Sequence, residues 1–593
     1  MLNKNIQDLR NFQKRTFILG AGKAIFSFLL ISKLYYLQIL NKSKFGKLSD
    51  TNRVKIRIIY PQRGVIFDSK GEKIAENRID YQITILKEDK KLIKKNLTEL
   101  SKFLFFSKDE KDFIMKNLKR RSFDDYLIIK KNLNWDELEV FEYHSYLFPY
   151  LSINKQKVRN YNNNLAFSHV IGYVGYSTKN KDNKLQELKI GKTGFEQKYN
   201  SLLQGKEGLQ KVESHASGKI VRLLEAKKSE SGKNLKTYLS KDLQEFCFKE
   251  MKGKSGSVVV MNVKTGGIVS LVSSPSFDIN EFSYGIKKNT WAKLLNDPMK
   301  PLLNKCISGL YAPGSTFKLI VALLSLKESK FDPDKKVFCK GHTFLANHKF
   351  HCWKREGHGA MNLSTALKES CDCYFYNLAN SIDINKLANI SNVFSIGKKT
   401  GVDLPNELGG LMPNEKWKKE YKADIWHLGE TYNAVIGQGF TLSTPLQIAT
   451  MVSRIASGKY VKPSIIRKEE SFKKLDISEN DLEFVRKSMY RAVNEFKGTA
   501  FSSRLDSRKF KMVGKTGTSQ VRRITLQERE SGVRENNELP YNLRDHSIFA
   551  GYAPFDSPEL AISVILEHHG SGSKFAAPFA KKVLDFALKN KIV

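Results

Sequence analysis

Pro313-Gly-Ser-Thr-Phe-Lys-Leu-Ile-Val-Ala-Leu-Leu324 is the stretch on which the reading of this chain turns. From Thr316 onward it is almost wholly apolar, as expected of a helix buried on all sides. Ser315 then stands at the helix N-terminus. Lys318 lies at i+3, on the same face one turn along, where its amine can reach the serine hydroxyl. Buried among apolar neighbours, such an amine loses affinity for its proton and becomes a usable base. A lone Ser-x-x-Lys recurs by chance, so its meaning depends on what else the chain supplies.

Two further strings supply the missing roles. Ser370-Cys-Asp372 offers a hydroxyl that can relay a proton between Lys318 and a leaving amine, and a carboxylate, Asp372, that can hold a lysine or a substrate amide in register. Lys515-Thr-Gly-Thr518 follows Phe510-Lys-Met-Val513 and reads as an edge strand. There Lys515 offers charge to a carboxylate, Thr516 and Thr518 offer hydroxyls, and Gly517 admits a close backbone. An extended ligand can add to such an edge by β-pairing. Backbone N–H groups of Ser315 and Thr518 are the candidate oxyanion hole. Together the strings describe an active-site serine acyltransferase.

Gly256-Ser-Val-Val-Val-Met-Asn-Val263, a turn at Lys264-Thr-Gly-Gly267 and Ile268-Val-Ser-Leu-Val272 read as a hairpin of two apolar strands. Ser547 to Ala553 and Leu560 to Leu566 supply two more, and Pro578 to Leu588 a closing helix. Strands at both ends of a helical middle predict an α+β domain whose sheet joins distant parts of the chain. Earlier, Val65-Ile66-Phe67 reads as a strand, His169 to Gly175 as a compact β-like segment, and residues 226 to 236 as a hinge. Residues 522 to 544 read as a charged, solvated loop.

At 593 residues the chain exceeds one ordinary core and is read as multidomain. Its 100 Lys+Arg against 61 Asp+Glu give +39, but the lysines are scattered and no arginine-rich tract interleaved with aromatics marks a nucleic-acid surface. Residues 17–40 form the most apolar stretch, long enough to span a bilayer with Lys23 and Lys33 snorkelling. Lys4, Arg10, Lys14 and Arg15 precede it, as in an uncleaved signal-anchor, with Lys42, Lys44 and Lys47 beyond. The competing reading is a buried soluble helix.

Four of the six cysteines, Cys339, Cys352, Cys371 and Cys373, crowd into one histidine-rich segment. Cys339, Cys352, His358 and Cys371 make a set of three thiolates and an imidazole, the donors of a closed tetrahedral structural zinc site. A disulfide such as Cys339 with Cys352 is the alternative, and His342, His348, His351 and Cys373 compete as ligands. Because adjacent side chains diverge, Cys371 can bind metal while Ser370 faces the cleft. Cys247 and Cys306 read as core residues.

On the three strings, the Pro61-x-Arg63-Gly64-x-Ile66-x-Asp68 motif, Gly437-Gln-Gly439, Arg544-Asp-His546 and Glu567-His568, the chain resembles the class B penicillin-binding proteins, and within them the elongation type. The resemblance implies a cytoplasmic tail (1–16), a transmembrane anchor (17–40), a strand-rich pedestal or dimerisation-type domain (41–229) and a transpeptidase domain (230–593) with a five-stranded sheet packed by helices. It implies a D,D-transpeptidase of the inner membrane, with the bulk of the chain periplasmic. Ser315 would attack the D-Ala-D-Ala carbonyl of a peptidoglycan stem peptide, and β-lactams would acylate the same serine. Implied partners are a RodA-like polymerase of the SEDS family and an MreC-like periplasmic scaffold. Some relatives of the elongation type carry zinc beside the active site with aspartate, histidine and cysteine ligands, and Cys339, Cys352, His358 and Cys371 look like the equivalents. Asp372 departs from the asparagine of many relatives. A division-class transpeptidase shares all three strings; Cys371, the zinc-like set and Arg544-Asp-His546 favour elongation. A β-lactam sensor or scaffold without turnover would be marked by a broken string, and all are intact. The pedestal and anchor serve no purpose in a soluble β-lactamase.

Overall fold

A computed structural model describes residues 2–43, 54–86, 90–107, 110–112, 114–115, 126–176, 189–214, 220–328, 331–507, 510–525, 527–528 and 532–592. Lys44 and Lys47 beyond the apolar stretch, parts of the 86–150 region, and residues 526 and 529–531 of the charged loop lie outside them. The chain begins with a helix, Leu2–Tyr35, that continues as a wider turn over Tyr36–Leu40. Leu9–Leu40, 32 residues whose most apolar 18-residue window has a mean hydropathy of 1.7, is the one helix among the described residues long and apolar enough to cross a membrane. None of its most apolar window is buried against protein. That is opposite to the buried soluble helix considered as the alternative, which would have turned an apolar face to a core.

By packing, the chain forms two compact units. One comprises residues 1–62, 81–154 and 205–231. It holds an antiparallel three-stranded sheet, Val54–Ile59, Gly208–Ser214 and Ile220–Lys227 in that order. A separate core gathers Ile83, Ile85, Ile93, Leu97, Leu127, Ile129, Phe141 and Phe148. The helix Trp135–Tyr143 in this unit starts where Asn134 accepts from Glu137 N at 2.7 Å and Glu137 Oε2 accepts from Asn134 N at 3.2 Å. This reciprocal cap satisfies two orphan donors.

The other unit comprises residues 63–80, 155–204 and 232–593. Packing therefore interleaves the chain, whereas the sequence suggested a single change near 229–230. Residues 63–80 and 155–204 are joined by backbone contacts such as Asn162 N to Ile74 O at 2.9 Å and by a buried ionic cluster. Arg63 Nε and Arg159 Nε donate to the wholly buried Glu196 carboxylate at 2.6 and 2.7 Å, and Tyr161 hydroxyl approaches it at 3.4 Å. Burial alone would push the Glu196 pKa up; the charges of Arg159 and Arg63 outweigh it and hold the pKa below the ordinary value. The segment read as β-like at 169–175 is instead a short helix, Ser168–Ile171, followed by a strand, Val174–Tyr176. All four residues of that helix are buried, so no alternation existed to distinguish helix from strand.

The site rests on a five-stranded antiparallel sheet built from β1 (Gly256–Asn262), β2 (Ile268–Ser274), β3 (Val513–Ser519), β4 (His546–Ala553) and β5 (Leu560–Leu566), in the order β2-β1-β5-β4-β3. Its helices are α1 (Lys241–Glu250), α2 (Lys318–Lys327), α3 (Leu363–Glu369), α4 (Asp372–Ala379), α5 (Pro445–Ser457), α6 (Glu479–Asn494) and α7 (Ala576–Lys589). Val258, Val260, Ile562 and Val564 join one core cluster with Leu243, Cys247, Val583 and Leu584 of α1 and α7. The intervening Val259, Met261, Ala561 and Ile565 join another with Leu319, Leu323, Ile448 and Val452 of α2 and α5. Helices on both faces explain why the strands read as unbroken apolar runs rather than as alternating ones. α2 is buried at every position from Lys318 to Ser325, as its composition predicts.

Candidate active site

Ser315 lies in a single tight turn, Gly314–Thr316, that leads into α2. Two glycines fix this turn. Gly314 has φ +55°, and a Cβ there would stand 2.6 Å from Thr518 O. Gly437 has φ +69°, and a Cβ there would stand 2.2 Å from Gly314 O. Gly314 N also donates to Gly437 O at 2.9 Å. Three backbones from distant parts of the chain thus meet where any side chain would separate them. Ser315 is half-buried, and its hydroxyl has no hydrogen-bond partner among the described residues.

The second string is a break between helices. α3 opens on an Asn362–Thr365 reciprocal cap and ends at Ser370, which takes the left-handed conformation (φ +59°, ψ +37°). α4 restarts at Asp372. A non-glycine residue held there is strained, and such strain concentrates at functional sites. Ser370 Oγ accepts from Lys515 Nζ at 2.7 Å and from Lys318 Nζ at 3.4 Å. One hydroxyl therefore joins two wholly buried lysines, one from α2 and one from β3.

Lys318 is less isolated than its apolar neighbours suggest. Its Nζ donates to Asp372 Oδ1 at 2.7 Å and to Ser370 O at 2.9 Å, and makes no hydrogen bond to Ser315 among the described residues. The carboxylate competes for the amine; ligand-free sites commonly tighten only around substrate. Burial pushes the Asp372 pKa up, and the Lys318 ammonium opposes that shift. Asp372 Oδ2 accepts from Trp353 N at 2.9 Å. Of its two suggested roles, Asp372 holds a lysine. Burial, reinforced by the charge of Lys318, pushes the Lys515 pKa well below the ordinary lysine value. Lys515 is thus enclosed against Ser370 rather than displayed as a free surface charge.

β3 is an edge strand, as expected, with β4 on its only paired side. Alternation separates its side chains. Lys515 turns toward Ser370, whereas Thr516 Oγ1 donates to Thr499 Oγ1 at 2.8 Å. A Cβ on Gly517 would meet Pro313 O at 3.1 Å and Thr316 Cγ2 at 3.2 Å. The close approach Gly517 permits is thus to the nucleophile's own segment. Thr518 is half-buried, and its carbonyl accepts from Gln438 Nε2 at 2.9 Å. In an antiparallel strand a residue's N–H and C=O point to the same side, so Thr518 N–H also faces off the free edge toward the 314–315 turn.

Sequence reasoning assigned no role to Gln438 or Trp353. Trp353 remains 59% exposed while its Nε1 donates to Ser370 O at 3.1 Å. Its position next to Cys352 was the available signal.

The Cys339, Cys352, His358 and Cys371 donor atoms all lie within 4.8 Å of one another. His358 Nδ1 is 3.6 Å from both Cys339 Sγ and Cys352 Sγ. The N–S edge of a tetrahedral zinc site is roughly 3.5 Å from its bond lengths, so the donor set fits that ion. Hydrogen bonds from the Cys371 and Cys373 thiols hold the Cys352 thiol well below its ordinary pKa. Asp372 N donates to Cys352 Sγ at 3.4 Å. The cluster is thereby tied to the residue that pairs with Lys318. All six cysteines are unbridged, and Cys247 and Cys306 are wholly buried in the core.

A serine turn set against the free edge of a helix-packed antiparallel sheet, with two buried lysines meeting on one hydroxyl beside it, defines the class as the serine acyltransferases of the penicillin-binding fold. The chain belongs to the class B penicillin-binding proteins: residues 256–585 match the penicillin binding protein transpeptidase domain and residues 58–237 the penicillin-binding protein dimerisation domain. It is similar to the peptidoglycan D,D-transpeptidase MrdA of Acinetobacter baumannii, at 33% identity over 99% of this chain and 89% of that protein. The MrdA of Haemophilus influenzae is 31% identical over 98% of this chain and 92% of that protein. A solved complex of penicillin-binding protein PBP2 with MreC from Helicobacter pylori superposes with a TM-score of 0.81 at 29% identity, covering 91% of this chain and 99% of that one.

Proposed function

We propose that this chain is a peptidoglycan D,D-transpeptidase of cell elongation, acting through an acyl-enzyme on Ser315 that β-lactams also form. The observation that carries the reading is the run of contacts from Lys318 through Ser370 to Lys515 beside the Ser315 turn. In the first step Lys318, having handed its own proton to Asp372 Oδ1, takes the proton of Ser315 Oγ as that oxygen bonds to the carbonyl carbon of the penultimate D-Ala. The C–N bond then breaks, and the proton passes through Ser370 Oγ to the nitrogen of the departing D-Ala. The N–H groups of Ser315 and Thr518 receive the developing oxyanion. In the second step an amine of a neighbouring stem attacks the ester carbon, loses its proton along the same path and regenerates Ser315; water in place of the amine gives D,D-carboxypeptidase activity. Lys515 holds Ser370 in place, and Thr518 presents the strand edge to an extended peptide. Thr516 and Gly517 support that edge.

In this reading residues 1–16 are cytoplasmic, 17–40 form the single inner-membrane anchor, 41–229 the pedestal and 230–593 the periplasmic transpeptidase domain. The apolar N-terminal helix supports the anchor, and the solved PBP2–MreC pair supports an MreC-like scaffold as partner, with a SEDS-family polymerase as the second. Purified chain given pentapeptide stems and an acceptor stem is expected to release D-Ala and form cross-linked dimers. Absence of both products would refute transpeptidation. Depletion is expected to round the cells; filaments would instead indicate division.

The second part of the reading is a structural zinc held by Cys339, Cys352, His358 and Cys371. Bound there, the ion braces the loop at Cys352 and the helix break at Ser370 without taking part in the chemistry. Elemental analysis is expected to find one zinc per chain. Cys352→Ser should weaken its retention by more than the roughly 10–100-fold typical of changes around a metal site and lower the melting temperature. Protein without zinc, carrying a mapped disulfide among these cysteines, would contradict it.

A further inference from the structure

The free edge of β3 already has an occupant. Thr518 O points off the sheet and receives the side-chain amide of Gln438 at 2.9 Å. Lys515 Nζ approaches another outward carbonyl, Thr516 O, at 3.4 Å. An extended ligand that adds to this edge must donate an N–H to such carbonyls, because they are what the edge presents. Gln438 Nε2 is chemically the same donor as a peptide N–H, an amide nitrogen with a proton to give. It stands at the acceptor nearest the nucleophile: a Cβ on Gly314, one residue before Ser315, would lie 2.6 Å from this same oxygen.

The loop that carries Gln438 is fixed on one side and open on the other. Gly437 is locked to the nucleophile turn through its carbonyl, and Gln438 N donates to Asn433 O at 3.0 Å. Gly439, with φ +72°, is exposed and leaves the chain free of side-chain bulk toward solvent. The Gln438 backbone is therefore held, while its side chain is half-buried beside an exposed Gly439.

We infer that Gln438 is a placeholder for the ligand's own amide, a positioning residue that satisfies Thr518 O in the empty site and must be displaced before an extended ligand pairs with β3. This rests on the transpeptidase reading of the site. It makes Gln438 a barrier common to all ligands of this edge, and only those bringing an N–H for Thr518 O replace the hydrogen bond they break. Stem peptides and penicillins bring one, in the secondary amide next to the reacting carbonyl. Carbapenems, which carry a hydroxyethyl group at that position, do not.

The test compares second-order acylation rates of the full chain in detergent by a penicillin and by a carbapenem. The variants are Gln438→Met, which keeps length and removes the amide, and Gln438→Glu, whose carboxylate is repelled by Thr518 O. Removing one competing hydrogen bond is expected to raise the penicillin rate about two- to tenfold. The carbapenem must displace the same side chain and should gain by the same factor, so that both rates rise in both variants while the preference for the penicillin, set by the bond it makes to Thr518 O, stays as in the wild type. A penicillin rate that falls or stays unchanged, or a gain confined to one of the two drugs, overturns the inference and makes Gln438 a mere support of the edge. Wild-type protein acylated by neither drug would instead sink the transpeptidase reading, so the two failures are distinguishable.

Discussion

Ser315→Ala is expected to abolish cross-linking and D-Ala release, with turnover down by at least about 10⁴-fold, because the other hydroxyl of that turn, Thr316 Oγ1, is buried and donates to Pro313 O at 2.7 Å. The loss should be purely chemical. The Ser315 hydroxyl has no partner among the described residues, so its removal leaves no buried group unsatisfied. Stability should change by no more than about 0.5 kcal/mol, as for a substitution clear of buried networks. Denaturation curves beside product assays check both halves; a variant that is inactive because it has unfolded would not support the assignment.

Lys318→Met is expected to lower both acylation and stability, for separable reasons. Loss of the amine removes the proton acceptor for Ser315, which is worth roughly 10²–10⁴-fold in the acylation rate. It also leaves Asp372 buried beside a vanished ammonium that now lies 2.7 Å from its Oδ1. Breaking a buried pair from one side costs about 3–5 kcal/mol. Adding Asp372→Asn removes the stranded charge and still lets a side-chain oxygen accept from Trp353 N. The double variant should therefore recover most of the stability and none of the rate. Chemical denaturation and stopped-flow acylation of both variants decide it. A single variant as stable as the parent, or a double variant no more stable than the single, would show that the pair does not carry this weight.

Much of this arrangement was legible in the residues. The apolar run after Ser315 read as a buried helix, and the β-branched run Val258-Val259-Val260 before a Thr-Gly-Gly turn as an apolar strand, and both are present. The four cysteine and histidine donors were recognisable as a set, and their donor atoms lie together. What sequence could not give was direction. That Lys318 turns to Asp372, and that Thr516 turns to Thr499, depends on which neighbours the fold brings within hydrogen-bond reach. The left-handed Ser370 was equally hidden, since nothing in Ser-Cys-Asp requires a helix to stop there. Glu196 and its two arginines are separated by up to 133 residues, and no local pattern pairs them.

Intact-mass measurement of the purified chain after exposure to a penicillin, followed by peptide mapping, tests the assignment of Ser315 most directly. A single adduct of one penicillin on the peptide carrying Ser315 is the predicted result. An adduct on any other residue, or no adduct at all, would contradict Ser315 as the nucleophile.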